Sequence, residues 1–516
     1  MAHGAAAAEQ LRIAEAALAA GRFPEAAEAL RKAIRLDRDS PRPQLMLAYA
    51  LWHSGEREQA IVALRRLIER SPGNAEAWFN LGNFYRAERR LEEAATAFRR
   101  AAHFQPTHAA AHVNLGYVLV QRGRFDEAEA AVRSSLESFP DEPDLLLNLA
   151  QIQRVTQRPG DALATLDRCV ALVPRHPGYR VTRALVRLDF GQQEAALAEL
   201  DGVVREYPEY LDAHFARARL LLSTGQYAAG WREYVWRPPR VRWLAAEGRP
   251  FTTATPSLEE LRGKPVVICG EQGLGDVLFF LRFAPPVERV AASLHLEIEP
   301  RLQAILPARW ALPPPSHGVR VLAGDLAAIV GGEAVPSLHL EPAAGRIEEA
   351  RERLARCGPP PYIGLTWQGG QHWEDMVEPG ATLFKRLAPE ALGGALRQSR
   401  ATLISIQRGS LPRDLASLAS AAGRPVHDFS DVNDDLAAAL AVLSLLDDYV
   451  AVSNTNVHLR DALGKPARVL VTHPAEWRWG IERETSRWLT HARVYRQATG
   501  GAWDSALARL TADLEV

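Results

Sequence analysis

The stretch CGEQGLGDVLFFLRFAP, Cys269 to Pro285, gathers the residues best placed for chemistry. An apolar run, PVVIC, leads into Gly270, Gly273 and Gly275, with Gln272 among them, and then into Asp276 and an amphipathic segment. This reads as strand, tight loop and helix, and the glycines let a ligand approach the backbone closely. A carboxylate at such a helix start either caps the helix or serves as a general base at the mouth of a pocket. The local pattern favours the cap. The spacing GxxGxG differs from the dinucleotide fingerprint, and no Gly-Lys-Ser/Thr follows for a P-loop.

Further polar groups follow other apolar runs. YIGLTW is followed by Gln368, Gly369 and Gly370, with Trp367 at the strand end. TLISIQ ends in Gln407 and Arg408. YVAVS runs into Ser453, Asn454, Thr455 and Asn456, with His458 just beyond. Four cap-type residues before an amphipathic helix furnish either an ordinary capped helix or an anion site, because free amides and the helix dipole point outward there. Trp477, Arg478 and Trp479 fall in a loop, where aromatics must pack or stack on something. They close over a base or sugar, or they plug a contact between domains. No acid pair of DxD type stands after a strand, no His/Cys cluster has metal spacing, and Ser453 lacks a nucleophile-elbow setting.

These loops need strands to carry them. Expected strands are 265–269, 293–299, 319–323, 362–367, 402–407, 449–453 and 467–471, with helical runs between many of them, which implies parallel sheets with crossover helices. A break near 339–361 predicts two Rossmann-like halves. Residues 236–265 mix proline, glycine and polar residues without a period and read as a linker or extended arm.

The first half of the chain is different. Alanine recurs at Ala26, Ala60, Ala94, Ala128, Ala162 and Ala196, and Gly230 takes the next slot. Proline keeps the same step of 34 residues at Pro72, Pro106, Pro140, Pro174 and Pro208. In AEAWFNLGNFYRAERRLEEAATAFRRAAHFQP, residues Trp78, Leu81, Gly82, Tyr85, Ala94, Phe98, Ala101 and Pro106 resemble the tetratricopeptide repeat. About seven units run from residue 7 to 236, the last one atypical. Such solenoids present a groove to peptide segments. Asn80, Asn114 and Asn148 share one slot of three successive units. They are either a ladder that pairs with an extended peptide backbone or simply part of the repeat pattern. The flanking units carry Met46, Thr182 and Ala216 there.

Bulk properties exclude little else. The 516 residues exceed one core, the formal net charge is −1, and neither a nucleic-acid nor a membrane footprint is visible. The longest apolar run, 436–446, is too short to span a bilayer. Cys169, Cys269 and Cys357 are scattered, which suits a reducing cytosol. The start of the chain lacks signal-peptide regions, so a cytoplasmic protein is expected.

Taken together, the loops resemble a known family. GLGDVLFFLRFAP, YIGLTWQGG, ISIQRG and AVSNTNVHLRDALGKPARVLV resemble segments of the heptosyltransferase-like glycosyltransferases. PAEWRWGIERETSRW resembles the ending of bacterial proteins that join tetratricopeptide repeats to that domain, among them flagellin glycosyltransferases. The resemblance implies an α plus α/β architecture. A repeat solenoid over 1–236 and a linker over 237–263 precede a GT-B pair of Rossmann-like domains, 264–342 and 343–516. It implies a cytoplasmic, inverting transferase with no metal and no resident cofactor, the nucleotide-sugar being a substrate. It makes Asp276 the base. It places Gln272, Gly273, Gly275, Trp367, Gln368, Gly369, Gln407, Ser453, Asn454, Thr455, Asn456, His458 and Trp477 around the nucleotide-sugar. Asn454 and His458 match its phosphate-binding segment. The short 264–342 half leaves acceptor recognition to the repeats, and serine or threonine of a protein held by Asn80, Asn114 and Asn148 is the expected acceptor. A surface polysaccharide or lipid acceptor, and a non-catalytic scaffold, are the alternatives. Two departures stand out. Ser453-Asn454 replaces the family's Asp-Thr, and its basic stretch is missing near 385, where Lys385 is expected on a helix.

Overall fold

The computed structural model describes residues 2–271, 273–310, 313, 315, 317–332, 335–369, 385–481, 484–499 and 501–514. The chain divides into two compact units. Among the described residues, the first unit, through Pro174, consists of ten helices from Ala2–Ala19 to Pro159–Leu172. The small residue of each pair lies where helices cross. An ideal Cβ on Gly82 would sit 2.7 Å from Phe98 Cε1, and one on Gly116 would sit 2.6 Å from Val132 Cγ2. Phe98 and Val132 are fully buried, so neither can yield. Gly82→Val is therefore expected to destabilise the chain by about 1–3 kcal/mol through overpacking. Urea unfolding followed by tryptophan fluorescence measures this, and an unchanged midpoint would refute the packing argument.

The second unit begins at Arg175, inside the repeats. Helices Pro177–Asp189, Gln193–Glu206, Leu211–Ser223 and Tyr227–Tyr234 continue the helical pairs. Ala218, Leu222, Trp231 and Tyr234 join one hydrophobic core with Phe279, Phe280, Trp477 and Trp488 of the α/β region. The second compact unit thus includes the last helical pairs, the final one burying its apolar face against the sheet-bearing layers. The expected linker also differs. Pro238–Ala246 is a helix, started by Pro238 at a position where proline costs no hydrogen bond, and Leu258–Leu261 is a short one with a Ser257–Glu260 capping box.

The α/β region holds strands β1 (Pro265–Cys269), β2 (Ser293–Glu297), β3 (Val319–Leu322), β4 (Tyr362–Thr366), β5 (Gln368–Gly369), β6 (Lys385–Arg386), β7 (Thr402–Ser405), β8 (Val426–Asp428), β9 (Asp448–Val452), β10 (Ala467–Val471) and β11 (Ala492–Arg496). β1, β2 and β3 form a parallel sheet in the order β2-β1-β3. The larger sheet, β11-β10-β9-β4-β7-β8, is also parallel throughout. Renumbered within that half, its order is 6-5-4-1-2-3, the order of a doubly wound dinucleotide-type sheet. All seven expected strands exist. β8 and β11 were not expected, nor was the small β5–β6 pair. No described helix is long and apolar enough to cross a membrane.

Candidate functional site

In parallel sheets, ligands bind beyond the carboxyl ends of strands where the chain reverses its winding direction. In the smaller sheet that point lies between β1 and β3, and in the larger one between β4 and β9. Loops leave all four strands, and those after β1, β4 and β9 carry polar groups singled out above. They meet in pairs. Glu271, after β1, accepts a hydrogen bond from the Gly324 amide after β3, at 2.7 Å. Gly369, after β4, lies so close to the turn after β9 that an ideal Cβ would stand 2.5 Å from the Ser453 carbonyl oxygen.

The two sheets also meet each other at this level. Helix Leu274–Phe280 packs on helix Thr455–Ala462. An ideal Cβ on Gly275 would lie 3.2 Å from His458 Cδ2 and 3.3 Å from Thr455 Oγ1, so a side chain there would be crowded and glycine eases this approach. Asp276 therefore lies next to the 453–458 segment. Asp276 is not the cap. Gly273 holds that position, and Asp276 lies in the first turn with its carboxylate ion-paired to Arg478. Gln272 lies outside the described residues.

The pair belongs to a chain of alternating charge. Lys385 binds Glu476, Glu476 lies 4.0 Å from Arg478, and Arg478 holds Asp276. Ser453 Oγ donates to Glu476 at 3.2 Å and accepts from Trp479 Nε1 at 3.1 Å. Burial works against ionisation of Glu476, but Lys385 and Arg478 outweigh it and hold the carboxyl down at about 2. Lys385 lies on β6, not on a helix. β6 pairs antiparallel with β5, opposite Gly369, and the missing Cβ of Gly369 lets this ribbon press onto the Ser453 turn. A long-range pairing of two-residue strands leaves no periodic trace, which is why Lys385 could not be placed from sequence. Glu476 was missed for a similar reason, being one acid in an irregular loop.

Several expected ligand residues are committed elsewhere. Asn454 is the helix cap, its Oδ1 accepting from the amides of Asn456 and Val457 at 2.8 and 3.3 Å. Asn456 is buried and donates to Asn433. Gln407 is buried, and its Oε1 accepts from the backbone amides of Trp367 and Gln368 at 3.0 and 2.8 Å. Trp367 is core. Trp477 is buried, with Trp231 and Phe279 each 5.3 Å away between ring centroids. It plugs the contact with the last repeat helix and offers no face to a base. These are corrections: Gln407 and Asn454 satisfy nearby backbone amides before they serve a ligand, Asn456 pairs with a side chain, and the two tryptophans pack. The partly exposed rim that remains comprises Gly273, Asp276, Gln368, Gly369, Thr455, Lys385 and Glu476.

His458 is different. It is 8% exposed, and among the described residues its Nδ1 meets no hydrogen-bond partner. Burial first, then Arg478 and Arg282, pushes the imidazole well below its ordinary 6.5, so the folded protein keeps it neutral. The unfolded chain binds a proton there below pH 6.5, and the folded chain does not. Stability present above that pH is therefore lost as the pH falls, by up to about 1.4 kcal/mol per pH unit. His458→Gln is expected to remove this slope, measured as unfolding free energy from pH 7 downward against the parent chain. An identical pH profile in both proteins would show that His458 is not held neutral.

In the first unit, Asn114 Nδ2 donates to Asn83 Oδ1 at 3.0 Å, and the buried Asn148 donates to the Val113 carbonyl at 2.9 Å. Two of the three amides of the expected ladder thus bind the solenoid itself, and Asn80 is half-buried. A cavity of about 440 Å³ lined by Arg65, Glu69, Trp78, Tyr85, Glu92 and Thr96 among others was not expected, because it needs helices from two successive units.

Comparison with known proteins gives firm ground for the first half. Tetratricopeptide repeat profiles match residues 17–82, 58–112, 113–177 and 181–231. Over 291 residues the chain is 24% identical to Protein FlbA of Caulobacter vibrioides, covering 50% of this chain and 47% of that protein. The chain spans about half the length of the curated relative it matches. A tetratricopeptide repeat protein from Parabacteroides merdae is similar at 16% identity, covering 48% of this chain and 94% of its own, with a TM-score of 0.41. Pseudomonas aeruginosa pilF is similar at 21% identity, with coverages of 41% and 97% and a TM-score of 0.36. The N-terminal part of the chain is thus an array of tetratricopeptide repeats, and the protein is distantly similar over half its length to FlbA.

Proposed function

We propose that the chain is an inverting GT-B glycosyltransferase, cytoplasmic and independent of metal, that moves a sugar from a nucleotide-sugar to serine or threonine of a protein. The observation that carries this reading is the adjacency of Asp276 and helix Thr455–Ala462. Gly275, next to Asp276, packs on Thr455 and His458, beside the reversal points of two parallel sheets. In the reaction, the acceptor hydroxyl attacks the anomeric carbon, its proton passes to the Asp276 carboxylate, and the bond to the nucleotide diphosphate breaks with the electron pair leaving on phosphate. The start of helix Thr455–Ala462 and the nearby Lys385 favour the departing charge. Tetratricopeptide repeats as a class bind protein partners, which supports a protein acceptor, flagellin among the candidates.

A second reading, a binding scaffold that no longer turns over, is favoured by the Asp276–Arg478 ion pair, which occupies the carboxylate that a base would need free. Mass spectrometry of cell proteins from strains with and without the gene tests the first reading. Glycopeptides that disappear with the gene support it, and identical glycan profiles favour the scaffold.

A further inference from the structure

Arg478 has an unusual set of partners. It is 7% exposed, its guanidinium carbon lies 4.6 Å from the Trp477 ring centroid and 4.8 Å from that of Phe279, and Nη2 binds Asp276. Nη1 stands 4.0 Å from Glu476. Among the described residues, Nε meets no hydrogen-bond partner although it is buried. A guanidinium offers five donors in a fixed fork, and a buried donor left unused is costly. A purely structural arginine would be better satisfied. Compare Arg237, whose Nε and Nη2 both bind Glu271 at 2.8 Å and whose Nη1 reaches Asp325 at 2.7 Å. Two further buried atoms without a partner flank the same Phe279 ring: His458 Nδ1, with the imidazole 6.1 Å from it between centroids, and Trp488 Nε1, with its ring 5.5 Å away. Of these three unused atoms, only Arg478 Nε belongs to a cation, and only Arg478 also reaches Asp276.

Resting on the transferase reading, we infer that Arg478 is a further catalytic residue, shared between the Asp276 carboxylate and the diphosphate of the donor. The fork that holds Asp276 also suits two phosphate oxygens. Diphosphate and carboxylate then compete for one cation. When the diphosphate takes the guanidinium, the Asp276 carboxylate is released from its ion pair and left open to the acceptor hydroxyl. Donor binding thereby frees the base, and the ion pair that argued for a dead scaffold becomes part of the cycle. Such competition is a coupling between two sites, and it must appear equally from either side.

The test is a double-mutant cycle on the full chain with inorganic pyrophosphate as probe, by titration calorimetry at fixed ionic strength. Arg478→Gln is expected to weaken pyrophosphate binding roughly tenfold or more. Asp276→Asn is expected to tighten it roughly five- to tenfold, and to lose that effect in the Arg478→Gln background. Should Arg478→Gln fail to fold, Arg478→Lys keeps the charge without the fork and is expected to bind at intermediate strength. If Asp276→Asn changes affinity equally with and without Arg478, the sharing is overturned and only general charge repulsion remains. If Arg478→Lys binds pyrophosphate like the parent chain and Asp276→Asn has no effect, Arg478 is a strut and the transferase reading survives. If the parent chain binds neither pyrophosphate nor any member of a nucleoside-diphosphate panel, both fall together.

Discussion

Asp276→Asn is expected to lower glycosyl transfer by about 10²–10⁴-fold, the usual contribution of a positioned general base. Asparagine keeps the shape and loses the proton acceptor. The loss belongs in kcat, because the amide leaves the helix Thr455–Ala462 and Lys385 in place to hold the donor. Steady-state kinetics with the donor at saturation measure it. Retained turnover with lost donor binding would exclude Asp276 as the base. Removing a charge paired with buried Arg478 also loosens the loop, so the melting temperature should fall slightly in the same protein.

The second large effect is on stability. Arg237 is fully buried, grips Glu271 through two 2.8 Å bonds, and lies 2.7 Å from Asp325, which also accepts from Arg240 Nε at 3.0 Å. Arg237→Met leaves Glu271 buried with only the Gly324 amide, and is expected to cost about 3–5 kcal/mol. Burial already pushes the Glu271 carboxyl up, with Arg237 opposing, so the variant raises it further. A carboxyl raised above its unfolded value stabilises below that value and loses the contribution as the pH rises. The deficit should therefore be larger at neutral pH than near the ordinary carboxyl value of 4.5. Urea unfolding at the two pH values reads both effects. The double change Arg237→Met with Glu271→Leu should recover much of the loss, because an apolar pair of similar volume replaces an ionic one without stranding a charge. No recovery would mean that the loop needs the charges themselves.

The helical repeats were legible because two residue types keep one 34-residue step, and each has a mechanical reason: small residues at the crossings, proline after the second helix. The principal strands were legible as apolar runs bounded by glycine and polar clusters. What escaped was anything set by distant parts of the chain. β11 pairs with β10 across a loop, and its ARVYR alternates too weakly to stand out. The candidate site itself was half legible. Asp276 and the 453–458 turn follow strands and could be named, but the commitments of Gln407, Asn454 and Trp477 depend on which backbone amides and rings arrive beside them. Arg237 lay in what read as a featureless linker, since a buried ion network has no sequence period.

The junction around Trp231 bears on how such a chain can evolve. Each upstream helical pair leans only on its neighbours, so duplication or deletion of whole 34-residue units there alters length without disturbing a foreign surface. Trp231 meets Phe280, Phe283, Trp477 and Trp488 edge-on, and its indole donates to the Gly332 carbonyl at 3.0 Å. The terminal pair is thereby removed from the modular pool. Shuffling of the repeat array between relatives should leave this pair travelling with the parallel-sheet region, inherited as its fixed N-terminal wall.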